Sequence, residues 1–276
     1  MATIAILGAG TLGGALAHKL AQRDQLARVR LIDPAEGVAA GKALDIRQAG
    51  PVERFDTRVD AASIDGVVGA AAVVVADPAE SENGDWEETG LALVKSVKSL
   101  TRHTPLILAD ASHHSLLSRT VEDGGFDPHR VLGTAPGAVV SALKTLVALE
   151  ADASPKRVAI NLLGTPPGSL VVPWSSATVN GCPVEKCLRP PKLARLRARA
   201  NQLWPPGPYA LASAATRVLE AIVAGESRDT FTCFIACEDR VACRAVTVCG
   251  SGIGSVLTPS LSPAEQVQLD NASGRR

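Results

Sequence analysis

Residues 8–14 read GAGTLGG, which sets Gly8, Gly10 and Gly13 in G-x-G-x-x-G spacing. The chemistry of that spacing is phosphate capture by backbone. Gly8 permits a tight turn, Gly10 lets main chain approach a pyrophosphate, and Gly13 lets the following helix pack on the preceding strand. The NH groups near Thr11 and Leu12 then meet the phosphates at the helix N-terminus. The same spacing occurs in turns that bind nothing, so context carries the argument. TIAIL precedes it as a strand, an apolar-periodic helix follows, and Asp33 lies 20 residues beyond Gly13 at the end of the next strand. A carboxylate there accepts hydrogen bonds from ribose hydroxyls and repels a 2′-phosphate, which favours NAD over NADP.

Other residues offer weaker chemistry. His113 and His114 fall at the carboxyl end of the strand PLILAD, where ligands of open α/β sheets bind, and either would serve as a proton carrier. Their plainer reading is the polar start of a helix. RPPKLARLRARANQLW places Arg189, Lys192, Arg195, Arg197 and Arg199 on or beside a helix whose apolar side is Leu193, Leu196, Ala200 and Leu203. That basic face suits solvent, a phosphate or an acidic partner, including the acidic stretch DPAESENGDWEETG of the same chain. Six cysteines, at 182, 187, 233, 237, 243 and 249, include no C-x-x-C, and in TFTCFIAC they alternate at strand period with Phe231 and Ile235. Reduced thiols fit the six best, Cys233 and Cys237 read as facing a core rather than a metal, and no metal site is expected. GSGIGS, at 250–255, follows an antiparallel-type strand and precedes no helix, so it reads as a hairpin turn.

The elements that must position these groups are legible as alternation. TIAIL reads as a strand, 8–14 as a turn, 15–27 as a helix and VRLID as a strand ending at Asp33. GKALDIRQAG is a helix, VVGAAAVVVA a strand, GLALVKSVKSL a helix, PLILAD a strand, and RVLG closes the series. Strand alternating with helix is the pattern of an open parallel sheet covered on both faces. After Gly133 the texture changes. GAVVSALKTLVALE reads as a long helix, VAINLLG and VVPWSSATVNG follow, and TFTCFIACE and RVACRAVTVCG look like antiparallel strands. The expected organisation is a Rossmann domain at 1–133 and an α+β domain at 134–276. Ser262-Pro263-Ala264-Glu265 is a capping box that opens a last helix.

Bulk properties set the class. The 276 residues are 46% hydrophobic and carry 28 basic and 28 acidic side chains. With a formal charge of zero, no global field favours nucleic acid or an acidic membrane. The run Val67–Ala76 is half a membrane span, and MATIAILGAG lacks the basic region of a signal peptide, so a cytoplasmic protein is expected.

IAILGAGTLGGALAHKLA, VRLIDPAEGVAAGKALDI, the LVKSV helix, HRVLG and WSSATVNG together resemble the lactate/malate dehydrogenase family, and YALASAATRVLEAIVAGE looks like its C-terminal helix. The resemblance implies a two-domain, NAD-dependent 2-hydroxy-acid dehydrogenase fold, usually a homodimer or homotetramer. The chain is shorter than typical members, and it departs from them where the chemistry is done. The family's proton-carrying histidine belongs to G-x-H-G-D; here the segment is GTPPG, with Pro166 at that position. The aspartate that orients the histidine and the arginine that grips the substrate carboxylate fall at Val139 and Ala142. The family's Asn-Pro-Val-Asp appears as Asp110-Ala111-Ser112-His113.

The family's mobile lid, which carries arginines for the substrate, aligns with DPAESENGDWEETG. This stretch holds Asp77, Glu80, Glu82, Asp85, Glu87 and Glu88 and no basic residue. Six carboxylates in place of an Arg–carboxylate clamp reverse the local field, repelling a malate-like anion by roughly a kcal/mol per nearby charge. The plainer reading of the stretch is a solvated acidic linker to the next helix, preferred over a built cation site. Two functions follow from the sequence. The first is a pseudoenzyme that keeps the scaffold and NAD and serves as a sensor or partner subunit. The alternative is an active NAD-dependent oxidoreductase on a non-anionic substrate, with His113 or His114 as relocated proton carrier.

Overall fold

The protein, seen as a computed structural model, is described over residues 2–80, 86–165, 169–237 and 240–272. Short runs rich in aliphatic residues form the strands. They are β1 (Thr3–Leu7), β2 (Arg28–Ile32), β3 (Arg58–Ala61), β4 (Ala72–Val75), β5 (Leu106–Leu108) and β6 (Val131–Gly133). Between them lie α1 (Thr11–Arg23), α2 (Glu36–Glu53), α3 (Trp86–Leu100) and α4 (His114–Glu122). β4, β5 and β6 are fully buried, and β2 and β3 are partly exposed toward the sheet edge. The strands pair in parallel in the order β3-β2-β1-β4-β5-β6. This is the expected Rossmann arrangement.

The second half adds α5 (Ala135–Glu150), β7 (Val158–Ala159), β8 (Leu163–Thr165), β9 (Ser169–Val171), β10 (Thr178–Val179) and β11 (Cys182–Pro183). It continues with α6 (Val184–Cys187), α7 (Pro190–Ala200), α8 (Pro208–Ala224), β12 (Phe231–Cys237), β13 (Arg240–Cys249), β14 (Gly252–Leu257) and α9 (Pro263–Ala272). The large sheet runs on without a break: β12 pairs antiparallel with β6 at Phe234 and Gly133, and β13, β8 and β9 extend it. β11, β10 and β7 form a separate small sheet. α1 packs on α8, and the contact is pinned by Arg23 Nε to Glu220 Oε1 at 3.2 Å. Among the described residues no helix is long and apolar enough to cross a membrane.

Several boundaries differ from expectation. α1 begins at Thr11 rather than 15, because the motif's own glycines start the helix, and it ends at Arg23 rather than 27. Asp24 stops it in a left-handed conformation (φ 51°), where its Oδ1 accepts from the backbone NH groups of Asp56 and Thr57 at 2.9 Å each. The run at 67–76 yields strand only at Ala72–Val75, since its start closes a 3-10 turn and Gly69 reverses the chain at φ +76°. VAINLLG divides between two sheets, its start pairing with β10 and its end with β13. In GSGIGS the turn is Gly250 and Ser251 alone, and the remainder already belongs to β14. Gly252 is needed there, because a Cβ would lie 2.4 Å from the His129 carbonyl oxygen.

The last helix is held by its capping box. Glu265 accepts from the Ser262 NH and Oγ at 2.9 Å each, and from the Ser175 NH at 3.0 Å and the Ser175 hydroxyl, which fastens α9 to the segment after β9. Burial pushes the Glu265 carboxyl up, but the bonds from Ser175 and Ser262 together bring it below its ordinary value of 4.5. Its contribution is therefore present above about pH 4.5 and lost as the pH falls through the lowered value. Urea unfolding of Glu265→Ala at pH 7 is expected to show a loss of about 2 kcal/mol, the scale of hydrogen bonds to a charged acceptor, and a smaller loss at pH 3.

Candidate functional site

Register decides what meets at the carboxyl edge of the sheet. Leu7 of β1 is level with Ile32 of β2 and Val75 of β4, so the chains leaving these strands emerge side by side where strand order reverses about β1. Gly8 NH donates to the Ile32 carbonyl at 2.8 Å, and Gly10 NH donates to the Asp77 carbonyl at 2.9 Å. The glycines are compelled by this crowding. Gly8 has φ +107°, and a Cβ on Gly13 would stand 2.0 Å from the Gly8 oxygen.

Asp33 stands where the sequence places it, but its oxygens are engaged by main chain. It is 6% exposed. Oδ2 accepts from Ala9 NH at 2.7 Å and Ala79 NH at 2.9 Å, and Oδ1 accepts from Ala35 NH at 2.9 Å.

Asp77 is the functional residue that sequence reasoning missed in this role. α1 has Gly10 as its N-cap and no acid in its first turn, so its first NH groups have no partner from their own neighbourhood. Asp77 supplies one. Its Oδ2 accepts from Leu12 NH at 3.0 Å and its Oδ1 from Gly13 NH at 2.8 Å. A Cβ on Gly10 would lie 2.4 Å from the Asp77 carboxyl carbon. Lys42 Nζ donates to the Gly10 carbonyl at 2.7 Å on the other side of the loop. The available signal was position: Asp77 leaves β4, the parallel neighbour of β1, just past the point where Gly8 leaves β1.

The candidate catalytic residues are dispersed. Asp110 turns onto its own segment, its Oδ1 accepting from Ser112 NH at 2.8 Å and Ser112 Oγ at 2.7 Å. His113 is 3% exposed; burial lowers its pKa to about 4 against the attraction of Asp110 and Asp77, which leaves it neutral at pH 7. His114 points elsewhere. Its ring meets Phe234 edge-on at 5.3 Å, and its Nε2 lies 3.4 Å from the Val241 carbonyl, which also accepts from Thr165 Oγ1 at 3.2 Å. Val139 is fully buried in the apolar core, and Ala142 is half-buried on α5. Pro166, Glu82 and Asp85 and the side chain of Glu87 lie outside the described residues. Glu80 is exposed, and Glu88 pairs with Arg119 at 2.7 Å.

The basic helix α7 finds its acids locally. Lys192 pairs with Glu150 at 3.2 Å and Arg197 with Glu185 at 3.1 Å, so the partners seen for it are not from the acidic stretch after β4. Cys233 and Cys243 are buried, and burial pushes the Cys233 thiol up to about 12 and Cys243 up as well, so neither is a reactive thiolate at pH 7.

Residues 2–105 match the lactate/malate dehydrogenase NAD-binding domain. A malate dehydrogenase of Thioalkalivibrio sulfidiphilus is 33% identical over 211 residues, 73% of this chain and 68% of the relative. The chain belongs to the lactate/malate dehydrogenase family. A Chlorobium phaeobacteroides malate dehydrogenase is 27% identical across 98% of this chain and 94% of its own length. The fold is shared with the malate dehydrogenase of Salinibacter ruber, at a TM-score of 0.88 and 22% identity over 99% of this chain and 94% of that one. A Cryptosporidium parvum lactate dehydrogenase solved with lactic acid and nicotinamide adenine dinucleotide gives 0.90 at 20% identity, over 99% and 95% of the two chains.

NAD is the cofactor of this domain, and the glycine frame fits it in spacing and in room for main chain alone. The occupied groups do not. Asp77 on Leu12 and Gly13 takes two of the loop's NH donors, and Ala9, Ala35 and Ala79 take three of the acceptor sites on Asp33.

The buried histidine sets a pH dependence. Because the folded His113 binds its proton only near pH 4 while the unfolded one does so near 6.5, the unfolded state holds more protons between these values and stability falls as the pH drops from 6.5 to 4. Unfolding free energies of His113→Gln measured at intervals from pH 7.5 to 4 are expected to show a flatter decline than those of the wild type.

Proposed function

We propose that this protein keeps the NAD-binding scaffold of the lactate/malate dehydrogenase family but has given up 2-hydroxy-acid oxidation, and that it serves as a sensor or partner subunit. The observation that carries the reading is Val139. It is fully buried in the apolar core at the family position of the aspartate that orients the proton carrier, and Ala142 stands where a carboxylate-binding arginine belongs. Neither side chain has a charge or a hydrogen bond to give. Pro166, at the histidine position, has no proton to exchange. Loss of groups that act as a unit leaves little of the original catalysis.

The division into a cofactor part at 1–133 and a substrate-type part at 134–276, a cytoplasmic location and a homodimer or homotetramer belong to the same reading. Gly8, Gly10, Thr11, Leu12, Gly13 and Asp33 are its cofactor contacts.

A second reading draws on His114. Its imidazole shares the Val241 carbonyl with Thr165, the neighbour of Pro166, so a histidine does approach the strand end from which the family's proton carrier comes. In that case the protein is an oxidoreductase for an uncharged or cationic carbonyl compound.

Loss of NADH absorbance, followed at high enzyme concentration with oxaloacetate and with pyruvate, is expected to show no turnover. A rate of about one per second, the low end of ordinary enzymes, would overturn the pseudoenzyme reading. If such a rate were found, its loss in His114→Ala with retention in His113→Ala would support the relocated carrier.

A further inference from the structure

Parallel strands β1 and β4 deliver Asp77 to the glycine loop, and what it does there is what a dinucleotide phosphate does. An anion at a helix N-terminus is held by the first free NH groups and by the positive end of the helix dipole. The Asp77 carboxylate has both. Its two oxygens take Leu12 NH and Gly13 NH at 3.0 and 2.8 Å, the second and third residues of α1, whose N-cap glycine contributes no side chain.

The contact is built in from several sides. The Asp77 carbonyl accepts Gly10 NH at 2.9 Å, so main chain and side chain of one residue grip both ends of the loop. Gly10 is tolerated only as glycine against this residue, since a Cβ would lie 2.4 Å from Asp77 Oδ2 and 2.5 Å from the Pro78 carbonyl oxygen. Two residues on, Ala79 NH closes over Asp33 Oδ2 at 2.9 Å. Residues 77–79 thus engage two NH donors at the start of α1 and one oxygen of Asp33 together.

We propose that Asp77 is an internal ligand of the glycine loop, and that NAD binds only in competition with this carboxylate. The inference rests on the NAD-binding reading for its ligand, while the occupation of the loop stands on the geometry alone. Binding requires the side chain to swing off α1. A dinucleotide bound beside it would otherwise bring its phosphate charge against a carboxylate. The apparent dissociation constant is therefore raised by the fraction of molecules in which the loop is closed. The family's cofactor site becomes self-capped: stable without ligand and opened only by sufficient NAD.

The test compares wild type, Asp77→Ala and Asp77→Asn, each checked for folding by circular dichroism. The asparagine keeps the shape and removes the charge, so it carries the comparison if the alanine variant folds poorly. In NADH calorimetry, Asp77→Ala is expected to bind about tenfold tighter than wild type, with Asp77→Asn between them, as for a loop closed in about nine molecules of ten. Without ligand, Asp77→Ala is expected to lose about 2–4 °C in Tm, having lost a helix cap, and inorganic pyrophosphate should restore it while leaving the wild type unmoved. Should no protein bind NADH while pyrophosphate still stabilises the Asp77 variants alone, the NAD reading fails and the internal-ligand inference stands. Equal or weaker NADH binding by both variants, or an equal response of all three proteins to pyrophosphate, overturns it.

Discussion

The parallel register of β1 against both β2 and β4 is the constraint on which the rest depends. Leu7 is level with Ile32 on one side and Val75 on the other, so three chain exits share one small region of the sheet edge. Adjacent parallel strands lie about 5 Å apart, which leaves no space for side chains between the exits and forces glycine at the closest approaches. Gly8, Gly10 and Gly13 answer that demand whether or not a ligand arrives, because the Gly8 oxygen stands 2.0 Å from where a Gly13 Cβ would be. A glycine motif of this kind reports close packing first and phosphate binding second.

From that crowding follows a competition for donors. A helix begins with NH groups that its own turns cannot satisfy, and leaving them buried and bare costs as much as a lost hydrogen bond. A phosphate-binding helix saves them for its ligand by having glycine rather than serine or aspartate at the N-cap. Here the N-cap is Gly10, yet the donors of Leu12 and Gly13 are satisfied by a carboxylate from the neighbouring strand's exit. His113 feels the same carboxylate: Asp77 and Asp110 both raise its proton affinity, and burial outweighs them. The glycine loop and the start of α4 therefore share one electrostatic neighbourhood.

The proposed loss of acid/base groups agrees with the packing of α5. An aspartate at 139 would be a charge in a fully apolar surround, and a buried charge stripped of its partner costs several kcal/mol. On the proposed reading proline at 166 leaves no imidazole for it to hold, and valine belongs to the core on α5. The packing of α1 on α8 and the continuous sheet through Gly133 and Phe234 tie the two halves together without drawing on any of the candidate catalytic positions.

The sequence by itself determined the family framework, the alternation of strand and helix, the place of Asp33 and the capping box at Ser262, because each is written in local pattern: strand runs, helix periodicity, glycine spacing, cap residues. The resemblance it carries also places Pro166, Val139 and Ala142 at the family's catalytic positions, which is the ground of the proposed loss of catalysis. Boundaries such as the end of α1 at Asp24 and the short β4 depended on single left-handed residues and were less legible. What only the tertiary structure decided was the fate of particular polar groups. His113 became a buried neutral base, Asp33 became an acceptor for three backbone donors, and Asp77, one carboxylate among six in an acidic stretch, turned inward to α1 while Glu80 stayed in solvent. Periodicity tells which face a residue occupies. Which donor a carboxylate meets depends on the register of strands distant in sequence, and that exists only once the sheet has formed.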